Sequence, residues 1–428
     1  MSNARVSEPL TNYSDDARPV LLVNDFIESL LLWGTAVVLF GVLFLNQTHI
    51  ETNDHIKLAG KLELLSRLAV TGAAGLLGIY GFVFVPKVRL AFLSFPGVWV
   101  LGILICSLTG TMFSPMRSYA LPYLITVTAI VLFSPFSIHM LGTKRFFDIV
   151  LLTMILTVVG SWYLYLFMPQ YGVAIEFISK TESVARMGGT SHPNSLAGVA
   201  VLMIMLVGYL GFEGKRSWYF CLPLIGLGLA TLAFTGTRVA VVAGVFSMLF
   251  VYRKFWLRGD VLPYTFAIGA IVLFAALIRF SSDGQDSFVR TLAGSATRSG
   301  NMDEITSVTG RSHIWAFVIE KVQERPLWGY GPGTAKVYLG ERGLFHAHNV
   351  VLGLAFSGGV FAGCFAVMMF LHQLIVSLGG KYRLAALISL VILLNSLTEM
   401  PIFDYIPGTP TVLWLVALFW PIFDDGSL

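Results

Sequence analysis

His346, His348 and Asn349 stand at the entrance to an apolar run of membrane length, in the stretch FHAHNVVLGLAFSGG over residues 345–359. A neutral imidazole, with an ordinary pKa of about 6.5, can take a proton from a hydroxyl group near pH 7. Three arginines occur in comparable settings: Arg186 in ARMGGTSHPNSLAG, Arg238 in AFTGTRVAVVAG and Arg311 in SVTGRSHIW. A guanidinium is permanently charged, and its planar fork of donors matches phosphate oxygens. Asn194, after Ser191, His192 and Pro193, opens another apolar run, where the same residue types also serve as ordinary helix-start residues. A histidine pair two residues apart, with no cysteine and no obvious third ligand, is a poor zinc signature. The expectation is therefore no metal and no cofactor.

The elements that must position these groups follow from composition. The chain has 428 residues, 56% hydrophobic and 12% charged, with mean hydropathy +0.77, which is too apolar for a water-soluble globule. Apolar runs long enough for a hydrocarbon core of about 30 Å fall near 26–46, 68–86, 97–113, 119–140, 148–168, 194–212, 217–234, 237–252, 262–279, 350–378, 384–400 and 409–423. The fold class expected is an all-α integral membrane protein of about twelve transmembrane helices with one large external loop. The domain reading is 1–25, a cytoplasmic tail; 26–279, helices one to nine; 280–345, the large loop with an amphipathic helix; 346–423, helices ten to twelve; and 424–428, a cytoplasmic end. The first run is expected to be a retained anchor, since its polar lead has no small-residue cleavage site.

Orientation follows from basic residues, which collect in cytoplasmic connections. Both termini inside puts Lys87, Arg89, Lys144, Arg145, Lys215, Arg216, Arg253, Lys254, Lys381 and Arg383 in the cytoplasm. The three arginines and the histidines then share the outer side. From Val239 to Tyr252 the apolar run covers only about 21 Å as a helix, so Arg238 is drawn to the lipid boundary, where it should face a polar cavity or a permanent anion. Ile314, Phe317, Val318 and Val322 follow helical spacing up to Pro326, which places Arg311 near a helix start with unpaired N–H groups. Glu399, in NSLTEMPIFDY, is a rare carboxylate at a helix end, suited to pair an arginine or orient a histidine. Cys106, Cys221 and Cys364 all fall within spans and read as packing residues. No basic stripe interleaved with aromatics lies outside the membrane, so nucleic acid is not an expected partner.

Arginines at the outer lipid surface, with a histidine beside them, suit a substrate that is both lipid-borne and anionic. A sugar on a polyprenyl diphosphate meets both conditions: two arginines hold the diphosphate and His348 takes the proton of an acceptor hydroxyl. The set TGTR, TGRSHIW…RPLWGYGPG and HAHNVVLGLAFSGGVFAG, in this order, resembles the O-antigen ligase and polymerase superfamily of bacterial envelope glycan enzymes, its exopolysaccharide-polymerase branch above all. The resemblance implies a GT-C-like, metal-independent transferase in the bacterial inner membrane, with its active site facing the periplasm. The implied partners are an undecaprenyl-diphosphate-linked glycan donor, an acceptor glycan or lipid A-core, the lipid bilayer and a chain-length regulator. It carries the catalytic roles onto Arg238, Arg311 and His348, with Arg186, Asn194, His346 and Asn349 as substrate-binding residues. His346 competes with His348 for the role of base. Polymerisation of repeat units is favoured over ligation to lipid A-core, and a multi-helix transporter is the more distant alternative.

Overall fold

The computed structural model describes residues 18–47, 57–177, 183–257, 311–340, 346–403 and 407–423. The predicted span 262–279, the loop segments 280–310 and 341–345, and the terminal segments 1–17 and 424–428 lie outside the described residues. Helices occupy the other apolar runs, beginning with α1 (Arg18–Gln47), α2 (Lys57–Phe84), α4 (Phe95–Met112) after the short α3 (Pro86–Leu93), and α5 (Arg117–Phe167). After the one-turn α6 (Pro169–Gly172) and a hairpin of β1 (Val173–Phe177) and β2 (Ser183–Met187) come α7 (Pro193–Phe212), α8 (Trp218–Thr235), α9 (Arg238–Val251) and α10 (Arg253–Trp256). Then follow α11 (Arg311–Glu324), α12 (Ala335–Gly340), α13 (Val350–Gly358), α14 (Val360–Gly379), α15 (Arg383–Ser396) and α16 (Thr409–Phe423). Among the described residues, seven helices are long and apolar enough to cross a membrane: α1, α2, α4, α5, α7, α8 and α14. The coarse expectation of a helical membrane protein therefore holds.

Lipid in place of water explains where the core sits. Only the innermost helices bury their whole circumference: α7 from Leu196 to Val207, and α15 and α16 around Leu387, Ile388, Trp414 and Phe419. Outer helices leave Trp33 (70%), Leu76 (73%) and Val242 (66%) exposed, which is the surface expected of helices whose solvent is hydrocarbon. The runs 119–140 and 148–168 are joined without a loop inside α5, because Gly142 takes a positive φ of 69° and kinks the chain there.

The expected single span 350–378 is corrected. It is two helices, α13 and α14, separated at Gly359 with φ 82° and ψ 177°, a conformation open to glycine and strained for other residues. Backbone groups freed by the break are paired by the incoming loop 326–331: Tyr330 N donates to the Phe356 carbonyl at 2.8 Å, Gly331 N to that of Ser357 at 2.8 Å, and Val360 N to that of Pro326 at 2.8 Å. Irregular backbone at membrane depth survives only where protein satisfies it in this way. The break turns the HAHN segment and the RPLWGYG loop into one packed unit. A Cβ at Gly359 would collide with the Leu327 and Pro326 carbonyls. Gly359→Ala should therefore cost more than the roughly 1–3 kcal/mol of the backbone strain alone, seen as a lowered Tm of the detergent-purified protein. An unchanged Tm would contradict this packing.

The end of the bundle that gathers the basic residues is well tied. Arg383 pairs with Glu213 at 2.8 Å, Tyr252 donates to the same carboxylate at 3.4 Å, and Arg216 pairs with Asp148 at 3.1 Å. Arg253 donates to the Leu378 carbonyl at 3.0 Å. Glu213 and Tyr252 cap the C-termini of α7 and α9, and Arg383 begins α15. The opposite ends of these three helices lie about 20–30 Å away, and these ends carry Asn194, Thr237 and the approach to Glu399.

Candidate active site

A small apolar core fixes the parts of the site relative to one another. Ile314 and Val318 of α11 pack with Tyr330, Leu339, Ala347 and Phe356. This is the face that the periodicity of 314–322 marks as apolar, and it docks α11 on α13. Ala347 is fully buried in that core, so the flanking His346 and His348 turn the other way, with ring centroids 4.0 Å apart. The turn is tight: His348 takes a left-handed φ of 50°, a strained state for a residue with a Cβ. It is held because the His348 N–H donates to His346 Nδ1 at 3.2 Å and because Asn349 caps α13, accepting from Leu352 N at 3.0 Å.

Glu399 joins the parts. Its Oε2 lies 3.1 Å from His348 Nδ1, and its Oε1 accepts from Arg311 Nη2 at 2.5 Å and from Asn194 Nδ2 at 2.8 Å. Asn194 Oδ1 in turn accepts from Arg186 Nη2 at 2.9 Å and from the Thr237 hydroxyl at 3.2 Å. Arg186, on β2, is buried to 4% exposure; its Nε donates to the Thr235 carbonyl at 2.6 Å and its Nη2 to the Thr237 hydroxyl at 2.8 Å. A continuous polar chain thus runs from β2 through the starts of α7 and α9 to α11 and α13. Three helix N-termini open onto it, two capped by the side chains of His192 and Asn349 and the third with Thr237 at its N-cap position but no side-chain cap, and each carries partial positive charge and unpaired N–H groups. Arginines and N-termini outweigh the one carboxylate, so the site is built for an anion.

Protonation states follow from these bonds. Burial alone would raise the Glu399 pKa, but the hydrogen bond from His348 and the charge of Arg311 hold it down at about 2. An ionised carboxylate only accepts, so the His348 Nδ1 must carry the proton and its Nε2 is the basic nitrogen. His346 is the reverse case: its Nδ1 accepts from the backbone, which leaves Nε2–H as a donor. Burial, and next His348, push its pKa down to about 3. As pH falls below the ordinary value of 6.5, the unfolded chain takes up this proton before the folded one, so stability declines from pH 6.5 towards 3. Glu399 adds its own decline between 4.5 and about 2. His346→Asn, which can still accept from the His348 N–H, should make the fall of Tm between pH 6.5 and 4.5 shallower. An unchanged slope would show that His346 titrates normally.

Of the residues singled out in the sequence, Arg186, Asn194, Arg311, His346 and His348 come together around Glu399. Arg238 is exposed at the first position of α9, next to Thr237 of the polar chain. Asn349 has its amide committed to protein, capping α13 and donating to the Leu397 carbonyl at 3.1 Å. The segment carrying Arg186 is a strand, with Arg186 paired with Ala174 across the hairpin. Thr237 belongs to the TGTR turn but is not among the expected site residues, because a threonine at a turn carries no local mark of a partner 43 residues away. His346, His348 and Glu399 place ligand atoms within 4.8 Å of one another, the geometry of a possible cation site, but Arg311 already lays its positive charge on the same carboxylate.

The fold and site define a multi-helix membrane protein with a cationic, imidazole-bearing centre at one end of its bundle. Residues 223–367 match the family model described as O-Antigen ligase, a likeness in line with the resemblance carried by the TGTR, TGRSHIW and HAHN motifs. The matched segment includes Arg238, Arg311, His346 and His348 and leaves out Arg186, Asn194 and Glu399. The chain is also similar to a General O-oligosaccharyltransferase of Acinetobacter baylyi (strain ATCC 33305 / BD413 / ADP1), 23% identical over 232 residues, which cover 50% of this chain and 40% of that protein. The chain thus spans less than half the length of this relative. No solved structure matches it at a significant level.

Proposed function

We propose that the protein is an inner-membrane glycosyltransferase that moves a glycan from an undecaprenyl-diphosphate-linked donor to a sugar hydroxyl on the periplasmic side, without a metal. The observation that carries this reading is Glu399, joined at once to His348 and Arg311 where three helix N-termini open. In the reaction, His348 Nε2 takes the proton of the acceptor hydroxyl while the hydroxyl oxygen bonds to the anomeric carbon of the donor. The bond from that carbon to the phosphate oxygen breaks, and the diphosphate leaves with the electron pair. Arg311 and Arg238 bind the diphosphate and offset its growing charge. Arg186, with its bonds to protein, positions Asn194 and Thr237 and adds fixed positive charge. The prenyl tail stays in the bilayer, which agrees with a site at the helix ends. About twelve spans, with the 280–345 loop outside, complete the proposed topology.

Polymerisation of repeat units is the favoured activity, from the motif resemblance. A second reading, ligation of a finished glycan to lipid A-core or another acceptor, is supported by the ligase description of the matched family and the oligosaccharyltransferase name of the relative. Purified protein in detergent, given lipid-linked repeat units without ATP or added metal, should form longer chains. Uptake of a soluble solute by proteoliposomes, without transfer, would instead point to a transporter. In a deletion strain, single repeats still attached to lipid A-core mean a polymerase, and accumulated lipid-linked long chains mean a ligase.

A further inference from the structure

His192 belongs to the SHPN turn and has no part in the reaction just described. It caps α7 through an unusual group for that position: its Nδ1 accepts from the Asn194 N–H at 3.3 Å. Serine, threonine, aspartate and asparagine are the common caps, so a cap alone does not call for an imidazole. The capping bond has a chemical consequence. With Nδ1 as acceptor, the neutral ring carries its proton on Nε2, the far side from the helix. Thr190, Ser191 and Pro193 around it are buried, yet His192 is exposed. Ser191 also buries a hydroxyl that has no hydrogen-bond partner among the described residues, so this turn has bonding capacity left over. Two residues on, Asn194 holds Glu399 and Arg186.

We propose that His192 is a further substrate-contacting residue of this site, whose Nε2–H donates to a phosphate oxygen of the prenyl diphosphate. The inference rests on the diphosphate reading above and deepens it. The three imidazoles then divide the work: His348 presents a lone pair to the acceptor hydroxyl, while His346 and His192 present N–H donors. Neutral donors suit a departing diphosphate, because they stabilise charge without adding a proton that His348 would have to share. The α7 N-terminus, carried by the same turn, adds its N–H groups on the same side.

Two substitutions separate ligand contact from capping. Asparagine is among the best N-caps, so His192→Asn keeps or improves α7 while removing the far donor. His192→Gln places an amide N–H near the position of the imidazole Nε2–H. The probe is farnesyl diphosphate, titrated into detergent-purified full-length protein, with Tm recorded in parallel. The expected result is a Kd raised about tenfold in His192→Asn at an unchanged or higher Tm, and within about threefold of wild type in His192→Gln. Equal affinity of wild type and His192→Asn would overturn the proposal and leave a capping role alone. Absence of saturable binding by the wild type would instead sink the diphosphate reading and this contact with it.

Discussion

Glu399→Gln should lower kcat for glycan transfer by about two to four orders of magnitude, measured as product formed from a lipid-linked donor by the folded protein. The argument is one of proton placement. Glu399 accepts from His348, Arg311 and Asn194 together, and only an ionised carboxylate can do so at both oxygens. Glutamine keeps the shape but has one donating end. If that end faces His348, the imidazole proton moves to Nε2 and the lone pair needed by the acceptor hydroxyl disappears. If it faces Arg311, two donors meet and the guanidinium loses its counter-charge. The side chains of Arg311 and Glu399 are only 12% and 15% exposed, and removing one partner of a buried pair costs about 3–5 kcal/mol. Tm must therefore be followed beside kcat. His348→Gln should reproduce the loss of kcat with a smaller change in Tm, because Arg311 and Glu399 stay paired. A kcat within tenfold of wild type in either variant would end the assignment of His348 as base.

Arg311→Lys should fall nearly as far as Arg311→Ala, with kcat/KM for the diphosphate-linked donor reduced by about 10²–10³-fold in both. Charge alone does not define this position. Arg311 gives one nitrogen to Glu399 at 2.5 Å, and its planar fork has further N–H groups for a phosphate oxygen in the same plane. Lysine offers a point charge that can serve the carboxylate or the phosphate, and loses the alignment between them. The expected split is a reduced kcat together with a raised KM, since in the proposed reaction Arg311 binds the diphosphate in the ground state and more strongly as it departs. Should the lysine variant keep more than half of wild-type kcat/KM, Arg311 would act by charge only and the proposed geometry at the diphosphate would be wrong.

What could be read without a structure was whatever one segment decides for itself. Lipid imposes apolar runs of fixed length, so the spans near 26–46, 194–212 and 217–234 coincide with α1, α7 and α8. Local turn chemistry marked the TGTR corner, where Gly236 takes a φ of 62° as the α8 cap, and helical spacing marked α11 and its apolar face. The residue types of the site were legible for the same reason: few side chains other than arginine and histidine justify their place beside a hydrocarbon boundary.

Partnership was decided by packing alone. Glu399 reaches Asn194 across 205 positions, Arg311 across 88 and His348 across 51, and no local pattern records which of these it meets. Nor could the sequence choose between the two histidines. Which imidazole nitrogen a distant carboxylate or a neighbouring backbone N–H occupies is set only once Ala347 is buried against Ile314 and Phe356, and the proposed role of His348 rests on that arrangement. The break at Gly359 was hidden by the same logic, since a Gly-Gly pair in an apolar run reads as helix until a loop from elsewhere takes up its free carbonyls. Hydrophobic length is a property of one segment, whereas a hydrogen bond belongs to two, and in this protein the chemistry lies in the bonds.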